Sequence, residues 1–341
     1  MMGTAFAWPL VDRGHRVRLV GTHLDAGWVA SMRATGVHPK LGLAIPEGVT
    51  PYPDEELETA LEGADAILLG VSSAGVRWAA SRLGPLLTRA LPLALVSKGL
   101  EWNGESLAVL PDVFSRALPA PLADTIEPVG VGGPCIAGEL ARRVPTAVVF
   151  AARSLAAAKA FAELARGPYY HVFPSDDVVG VEVCAALKNA YAMGMAFASG
   201  IHEAAGGSAG SIALHNYEAA VFSQSVWEMR KLTALLGGDP EQASWLPGVG
   251  DLNVTCNGGR TGRFGHLLGL GLGREAAVTH MQGATLECLE ILKNLREALR
   301  AYQRQGKIAN GAFPLAEHLA EVALESATVS MPFERFFGAP R

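Results

Sequence analysis

The sequence predicts an α/β domain over residues 1–175 followed by an all-α domain over residues 176–341. Two observations carry this. In the first half, short apolar runs alternate with helical stretches, as in a parallel sheet covered on both faces. After about Ser175 the runs lengthen, take a helical period and include no convincing strand. The boundary therefore falls near residues 173–178.

Met2–Val11 reads as a helix, stopped by Asp12-Arg-Gly14, and His15–Val20 as a strand. Asp54–Glu62 is a short helix and Ala64–Val71 an apolar strand. Ala74–Ala90 is expected to be helical, and Leu91–Val96 to be a strand running into Ser97-Lys-Gly99. Glu127–Val131 and Thr146–Phe150 are further strands, with a helix from Ile136 to Arg143 between them. Asp176 and Asp177 mark a helix N-terminus by charge and capping ability. That helix runs to about Glu203, and Gly206–Ser211 breaks it. Ala213–Leu236, Leu286–Arg304 and Leu315–Leu324 complete the helical half.

The first helix, a tight turn and the strand ending at Gly21 form the second half of a dinucleotide-binding unit, so the N-terminal domain is expected to be Rossmann-type. Gly3 stands where the third glycine of GxGxxG lets helix and strand pack closely. The first strand and the first two glycines have no counterpart in the chain. Without that central strand its neighbours keep unpaired backbone groups. A start codon further upstream and a damaged, non-catalytic relative are the two explanations. Intact downstream residues favour the first. The adenosine end is expected at Gly21-Thr-His-Leu-Asp25, where His23 or Arg18 could accept a 2′-phosphate. NAD and NADP both remain open.

Half of the 341 residues are hydrophobic and 18% are charged, which predicts compact domains. A net charge of −5 with no long basic run argues against nucleic acid. The four cysteines lack CxxC spacing, as expected of reduced thiols in the cytoplasm. No signal peptide is evident, and Val183–Gly200 contains Lys188, so it reads as a buried helix and not a membrane span. His266 and His280 show no metal spacing, so no metal is expected.

Chemistry concentrates in three stretches: Ala185-Ala-Leu-Lys-Asn-Ala190, Gly250-Asp-Leu-Asn-Val-Thr-Cys256 and Gly259-Arg-Thr-Gly-Arg-Phe-Gly265. A lysine inside an apolar helix needs a partner, and Asp251 is a candidate. The arginines between glycines read as a loop able to hold a phosphate. The set reads as a base, its orienting acid and an anion grip.

With these pieces placed, the chain resembles the NAD(P)-dependent glycerol-3-phosphate dehydrogenases from Gly3 to about residue 326. The motifs are Val96-Ser-Lys-Gly-Leu-Glu101, Gly132-Gly-Pro-Cys-Ile-Ala-Gly-Glu139 and Ser175-Asp-Asp-Val-Val-Gly-Val-Glu182, with Ala186-Leu-Lys-Asn189, Gly248-Val-Gly-Asp-Leu252 and Gly259-Arg-Thr-Gly-Arg-Phe-Gly265. The resemblance implies that Lys188 is the proton acceptor, with Asp251, Thr255 and Asn189 around it and Lys98 as a second ammonium. Arg260 is implied as the phosphate grip. Gly133, Cys135, Gly259 and Thr261 are implied to line the substrate site. The implied cofactor contacts, to NAD or NADP, are Met1, Met2, Gly3, Thr22, His23, Lys98, Ala137, Arg260, Thr285 and Glu287.

The implied reaction interconverts sn-glycerol 3-phosphate and dihydroxyacetone phosphate in a cytoplasmic homodimer. Cys135 and Thr261 depart from the usual serine or threonine and asparagine, so a changed polyol phosphate is one alternative. A hydroxy-acid dehydrogenase and a non-catalytic relative are others.

Overall fold

The structure, a computed structural model, describes residues 1–208, 214–257 and 259–338. The chain divides into two compact units: Met1–Ser97 with Leu110–Val178, and Lys98–Val109 with the chain from Val179 onward. Its strands are β1 (Val17–Val20), β2 (Val37–His38), β3 (Leu43–Ala44), β4 (Val49–Tyr52), β5 (Ile67–Leu69), β6 (Leu93–Leu95), β7 (Leu100–Trp102), β8 (Leu107–Val109), β9 (Val129–Gly132), β10 (Thr146–Ala151) and β11 (Tyr170–Ser175).

In the first unit a five-stranded sheet has the order β11-β10-β9-β6-β5. Its pairs are parallel except β9 with β10. β1 and β4 form a separate parallel pair. Among the described residues, β1 pairs with β4 alone and β5 with β6 alone. Leu93, Ala94 and Leu95 are wholly buried, as a central strand requires. Phe6, Phe150, Phe161 and Tyr170 fill the core beside the sheet, with ring centroids 5.4–6.2 Å apart.

The first helix is interrupted. Met2–Ala5 and Ala7–Asp12 are separate segments joined at Phe6. Pro9 explains the break, because it lacks the N–H that would bond to Ala5 and its ring crowds that carbonyl. A Cβ on Gly3 would lie 3.0 Å from the Gly70 Cα, and one on Gly70 would lie 2.6 Å from the Gly3 Cα. Gly3 therefore lets the first helix touch the end of β5.

Several boundaries differ from expectation. The helix expected over Ala74–Ala90 covers Val76–Leu83, because Gly84-Pro85 cannot continue it. The helix expected over Ile136–Arg143 is the single turn Ala137–Leu140. Arg143 leaves it at φ +59 and donates from Nε and Nη2 to Asp12, at 2.7 and 2.8 Å.

The second unit is helical after Val178 among the described residues, beginning with Val178–Ala204 and His215–Leu235. Residues 209–213, on which part of the expected Gly206–Ser211 break and the helix start at Ala213 fall, lie outside the described residues. No helix among those described is long and apolar enough to cross a membrane. The unit is not purely helical, because the β7–β8 hairpin belongs to it. Trp102 N–H donates to Asn294 Oδ1 and Leu107 N–H to Tyr302 Oη, each at 3.1 Å. These bonds fasten the hairpin to the Glu287–Arg304 helix.

The stretch expected as a glycine-rich loop is the helix Arg260–Gly269. A Cβ on Gly265 would come within 2.2 Å of Met193 O, one on Gly269 within 2.5 Å of Phe197 O, and one on Gly200 within 2.2 Å of His266 O. These glycines permit backbone contact with the Val178–Ala204 helix; they do not supply flexibility. Gly258, which precedes this stretch, lies outside the described residues.

Glu228 is fully buried and joins three elements. Its carboxylate accepts from Gln224 Nε2, Tyr191 Oη and the N–H groups of Leu315 and Ala316, at 2.8–3.0 Å. It thus satisfies the first turn of the Pro314–Glu325 helix. Burial is the larger effect on its carboxyl and pushes it up to about 7 against these four donors.

Gly265→Ala should cost about 1–3 kcal/mol or more in denaturant unfolding, since backbone would have to move. Gly262→Ala is the control. It has open space, with its nearest neighbour 3.8 Å away, and should stabilise the helix by up to about 1 kcal/mol. For Glu228 the folded pKa is raised, so stability is greatest below the unfolded value and falls as pH rises through the folded one. Unfolding curves for Glu228→Gln should lose the wild-type decline between about pH 4.3 and about pH 7. An unchanged slope would show that Glu228 stays ionised throughout this range.

Candidate active site

In the second unit, three segments far apart in sequence meet at one carboxylate. Lys188 lies midway along the Val178–Ala204 helix, in a run from Val183 to Leu187 that is wholly buried. Its apolar neighbours keep most water away, so the ammonium gains from a partner inside the protein. Its Nζ donates to Asp251 Oδ1. Lys98, two residues before the start of β7, donates from Nζ to Asp251 Oδ2. The anchored hairpin holds Lys98 in place. The side chains of Lys188 and Lys98 are 11% and 19% exposed and that of Asp251 only 1%, so the cluster opens to solvent on the lysine side.

Asp251 is the first residue of the helix Asp251–Cys256 and follows a π-helical turn, Leu246–Gly250. That turn needs Gly248, where a Cβ would come within 2.1 Å of Ala243 O. Such wide turns recur at functional sites because they re-aim the next side chain. Two ammoniums thus face one carboxylate. Burial, opposed by Asp251 and helped by Lys98, lowers Lys188 to about 8.

The remaining expected residues divide. Asn189 is half-buried beside Lys188. Thr255 donates its hydroxyl to the Asp251 carbonyl at 2.7 Å, so it steadies that helix turn. Gly259 precedes the Arg260 helix at φ +99, a conformation favouring glycine. Arg260 Nη2 donates to Glu287 Oε1 at 2.6 Å, and each opens its own helix. Arg263 donates to the His280 carbonyl at 3.3 Å, so the two arginines do not act as one grip. Thr261 turns inward; it is 4% exposed and lies against the Cys288 thiol, which burial pushes up to about 12. Thr285 is exposed just before the Glu287 helix.

In the first unit, Met1 is exposed and Met2 and Gly3 lie in the first helix. Thr22 follows β1, and its N–H and hydroxyl donate to Asp25 Oδ2 at 3.0 and 2.6 Å. Asp25 therefore turns back onto its own loop. His23 is exposed and meets the Trp78 ring edge-on at 5.3 Å, next to a Leu24 that is 81% exposed. His23, Leu24 and the half-buried Trp78 give this loop an apolar and aromatic surface, which suits the face of a nucleoside base. Arg18, considered for a 2′-phosphate, instead donates to the carbonyls of Ala60 and Glu62. It satisfies the end of the Leu57–Leu61 helix. Gly133 adopts φ +130 with no room for a Cβ, which would sit 3.0 Å from the Val148 Cα. Cys135 is half-buried, and Ala137 is buried at the start of its short helix.

Sequence reasoning missed the Gly70 partner of Gly3, the Trp78 partner of His23 and the hairpin that carries Lys98. A glycine directly after an apolar strand was the available signal for the first.

Residues 1–158 match the family model for the N-terminus of NAD-dependent glycerol-3-phosphate dehydrogenase, and residues 177–334 match that for its C-terminus. The chain is 35% identical over 328 residues to the NADP(+)-dependent glycerol-3-phosphate dehydrogenase of Archaeoglobus fulgidus, covering 96% of this chain and 94% of that one. It is 32% identical to the glycerol-3-phosphate dehydrogenase [NAD(P)+] of Geobacter metallireducens, covering 95% and 90%. The crystal structure of glycerol-3-phosphate dehydrogenase from Coxiella burnetii superposes with a TM-score of 0.79 at 28% identity, over 98% of this chain and 94% of that one. With its two-lysine carboxylate cluster and these relatives, the chain belongs to the NAD(P)-dependent glycerol-3-phosphate dehydrogenase family.

Proposed function

We propose that this protein interconverts sn-glycerol 3-phosphate and dihydroxyacetone phosphate with NAD or NADP, using Lys188 as the proton-transfer residue. The observation that carries this is the buried Lys98–Asp251–Lys188 cluster. When bound, the nicotinamide supplies or accepts the hydride. Met1, Met2, Gly3, Thr22, His23, Lys98, Ala137, Arg260, Thr285 and Glu287 would hold the dinucleotide.

The chain's own residues then account for the proton. In the reducing direction the Lys188 ammonium donates to the oxygen that becomes the alcohol. Lys98 stabilises negative charge on that oxygen as it develops. In the oxidising direction neutral Lys188 accepts the hydroxyl proton, and a lowered pKa makes the neutral form available near physiological pH. Asp251 fixes both nitrogens and keeps either proton state close in energy. Arg260 orients the substrate through its phosphate, so binding energy remote from the reacting carbon places that carbon. Gly133, Cys135, Gly259 and Thr261 would line the substrate, with Asn189 and Thr255 supporting the proton-transfer residues. The inward turn of Thr261 supports a role through its backbone.

We also propose a cytoplasmic homodimer. The wide spacing of the four cysteines, with no CxxC, supports a reducing compartment, and sedimentation equilibrium tests the assembly.

Oxidation of NADH or NADPH with dihydroxyacetone phosphate tests the reaction, with unphosphorylated dihydroxyacetone as control. Lys188→Ala should lower turnover about 100-fold or more, with cofactor affinity little changed. Wild-type turnover in a folded variant would remove Lys188 from the mechanism. The rate of alcohol oxidation should rise with pH through about 8 as Lys188 loses its proton. The rate of ketone reduction should fall over the same range. Arg260→Lys should damage the phosphorylated reaction more than the unphosphorylated one, because lysine lacks the planar fork.

A further inference from the structure

The pairing of Arg260 with Glu287 joins the first residues of two helices. For Glu287 the position is favourable, since a carboxylate complements a helix N-terminus. For Arg260 it is unfavourable, since the positive end of its helix repels a cation. Helix stability therefore does not explain Arg260, and Glu287 supplies the counter-charge that its position lacks. The pair is also loosely held. The Arg260 side chain is 52% exposed, and ion pairs in such settings are weak and readily exchanged.

We propose that Glu287 is a resident competitor for the Arg260 guanidinium, and that its displacement is a fixed cost on any anion that takes its place. This rests on the reading of Arg260 as the phosphate grip. A monoanion arriving at Arg260 exchanges one single charge for another, and Glu287 has the advantage of being tethered. A phosphate monoester near neutral pH carries close to two charges and three acceptor oxygens. It meets the cost of displacing Glu287 more fully than a single carboxylate charge does. The fork of the guanidinium suits both occupants, so charge, not shape, decides between them. Glu287 thereby raises the intrinsic affinity that an anion needs to occupy the site.

The test is calorimetric titration of inorganic phosphate and of acetate into the wild-type protein at pH 8, and into Glu287→Gln, Glu287→Ala and Arg260→Ala. Both Glu287 variants should bind phosphate about two- to fivefold more tightly, the range expected when an exposed ion pair is removed. Acetate binding should rise by a similar factor, because the cost of displacing Glu287 is common to both anions. Arg260→Ala should bind neither anion. Unchanged or weaker phosphate binding in both Glu287 variants, with Arg260→Ala still abolishing it, would overturn the competitor role. That outcome would leave Arg260 as the grip and make Glu287 a residue that positions it. Phosphate binding that survives in Arg260→Ala would instead overturn the phosphate-grip reading on which the proposal rests.

Discussion

The second unit is organised around the Asp251 carboxylate, which receives one ammonium on each oxygen. Burying ions is costly, and a buried pair is often no more stable than an apolar replacement. Three charges gathered at one place are therefore poor evidence for stability and good evidence for chemistry. Each member is held by a different device. Lys188 is fixed by a helix buried on its surrounding turns, and Lys98 by a hairpin bonded to Asn294 and Tyr302. Asp251 is fixed by a wide turn that only glycine at 248 permits. Loss of Asp251 would leave two like charges facing each other out of water.

A second constraint follows from the glycines at 200, 265 and 269. They bring the backbone of the Arg260 helix against that of the Lys188 helix. Side chains in a packed interface can change rotamer, but backbones in contact have little room to slide. The residue proposed for proton transfer and the residue proposed for the phosphate thus sit on two helices with a fixed offset. A substrate held at its phosphate end presents its reacting end at a set place, which is how orientation lowers a barrier.

The same glycines mark the limit of what the sequence made legible. Glycines at 259, 262 and 265 read as a loop, because glycine is a poor helix former on its own. The spacing of 265 and 269, one helical turn apart, was the contrary signal, and it has meaning only once a partner helix is known. The β7–β8 hairpin was missed for a related reason: its partners lie nearly two hundred residues further on. The helix past Leu83 was overextended because an apolar pattern outweighed Gly84-Pro85. Lys188 and Asp251 were legible because a lysine among apolar residues poses a local problem that local sequence states. Arg18, Asp25 and Thr261 were not, because their side chains answer to local turns and helix ends whose geometry the sequence only hints at.

Two buried carboxylates in the second unit show how partners separate structural from chemical roles. Glu228 is met by an amide, a phenol and two backbone N–H groups, all neutral donors. Nothing in that set changes charge near neutrality, so the group can tie the Pro314–Glu325 helix to Tyr191 without exchanging protons with its partners. Asp251 is met by two ammoniums, one of them lowered to about 8. Its partners can lose a proton while the carboxylate stays in place, and the remaining ammonium still balances it. The cluster passes from a net charge of +1 to neutrality on losing one proton, and in neither state does an unpaired carboxylate remain. A proton can therefore leave Lys188 and return while the residues that hold it keep their positions, which is the property that reversible alcohol oxidation requires of its base.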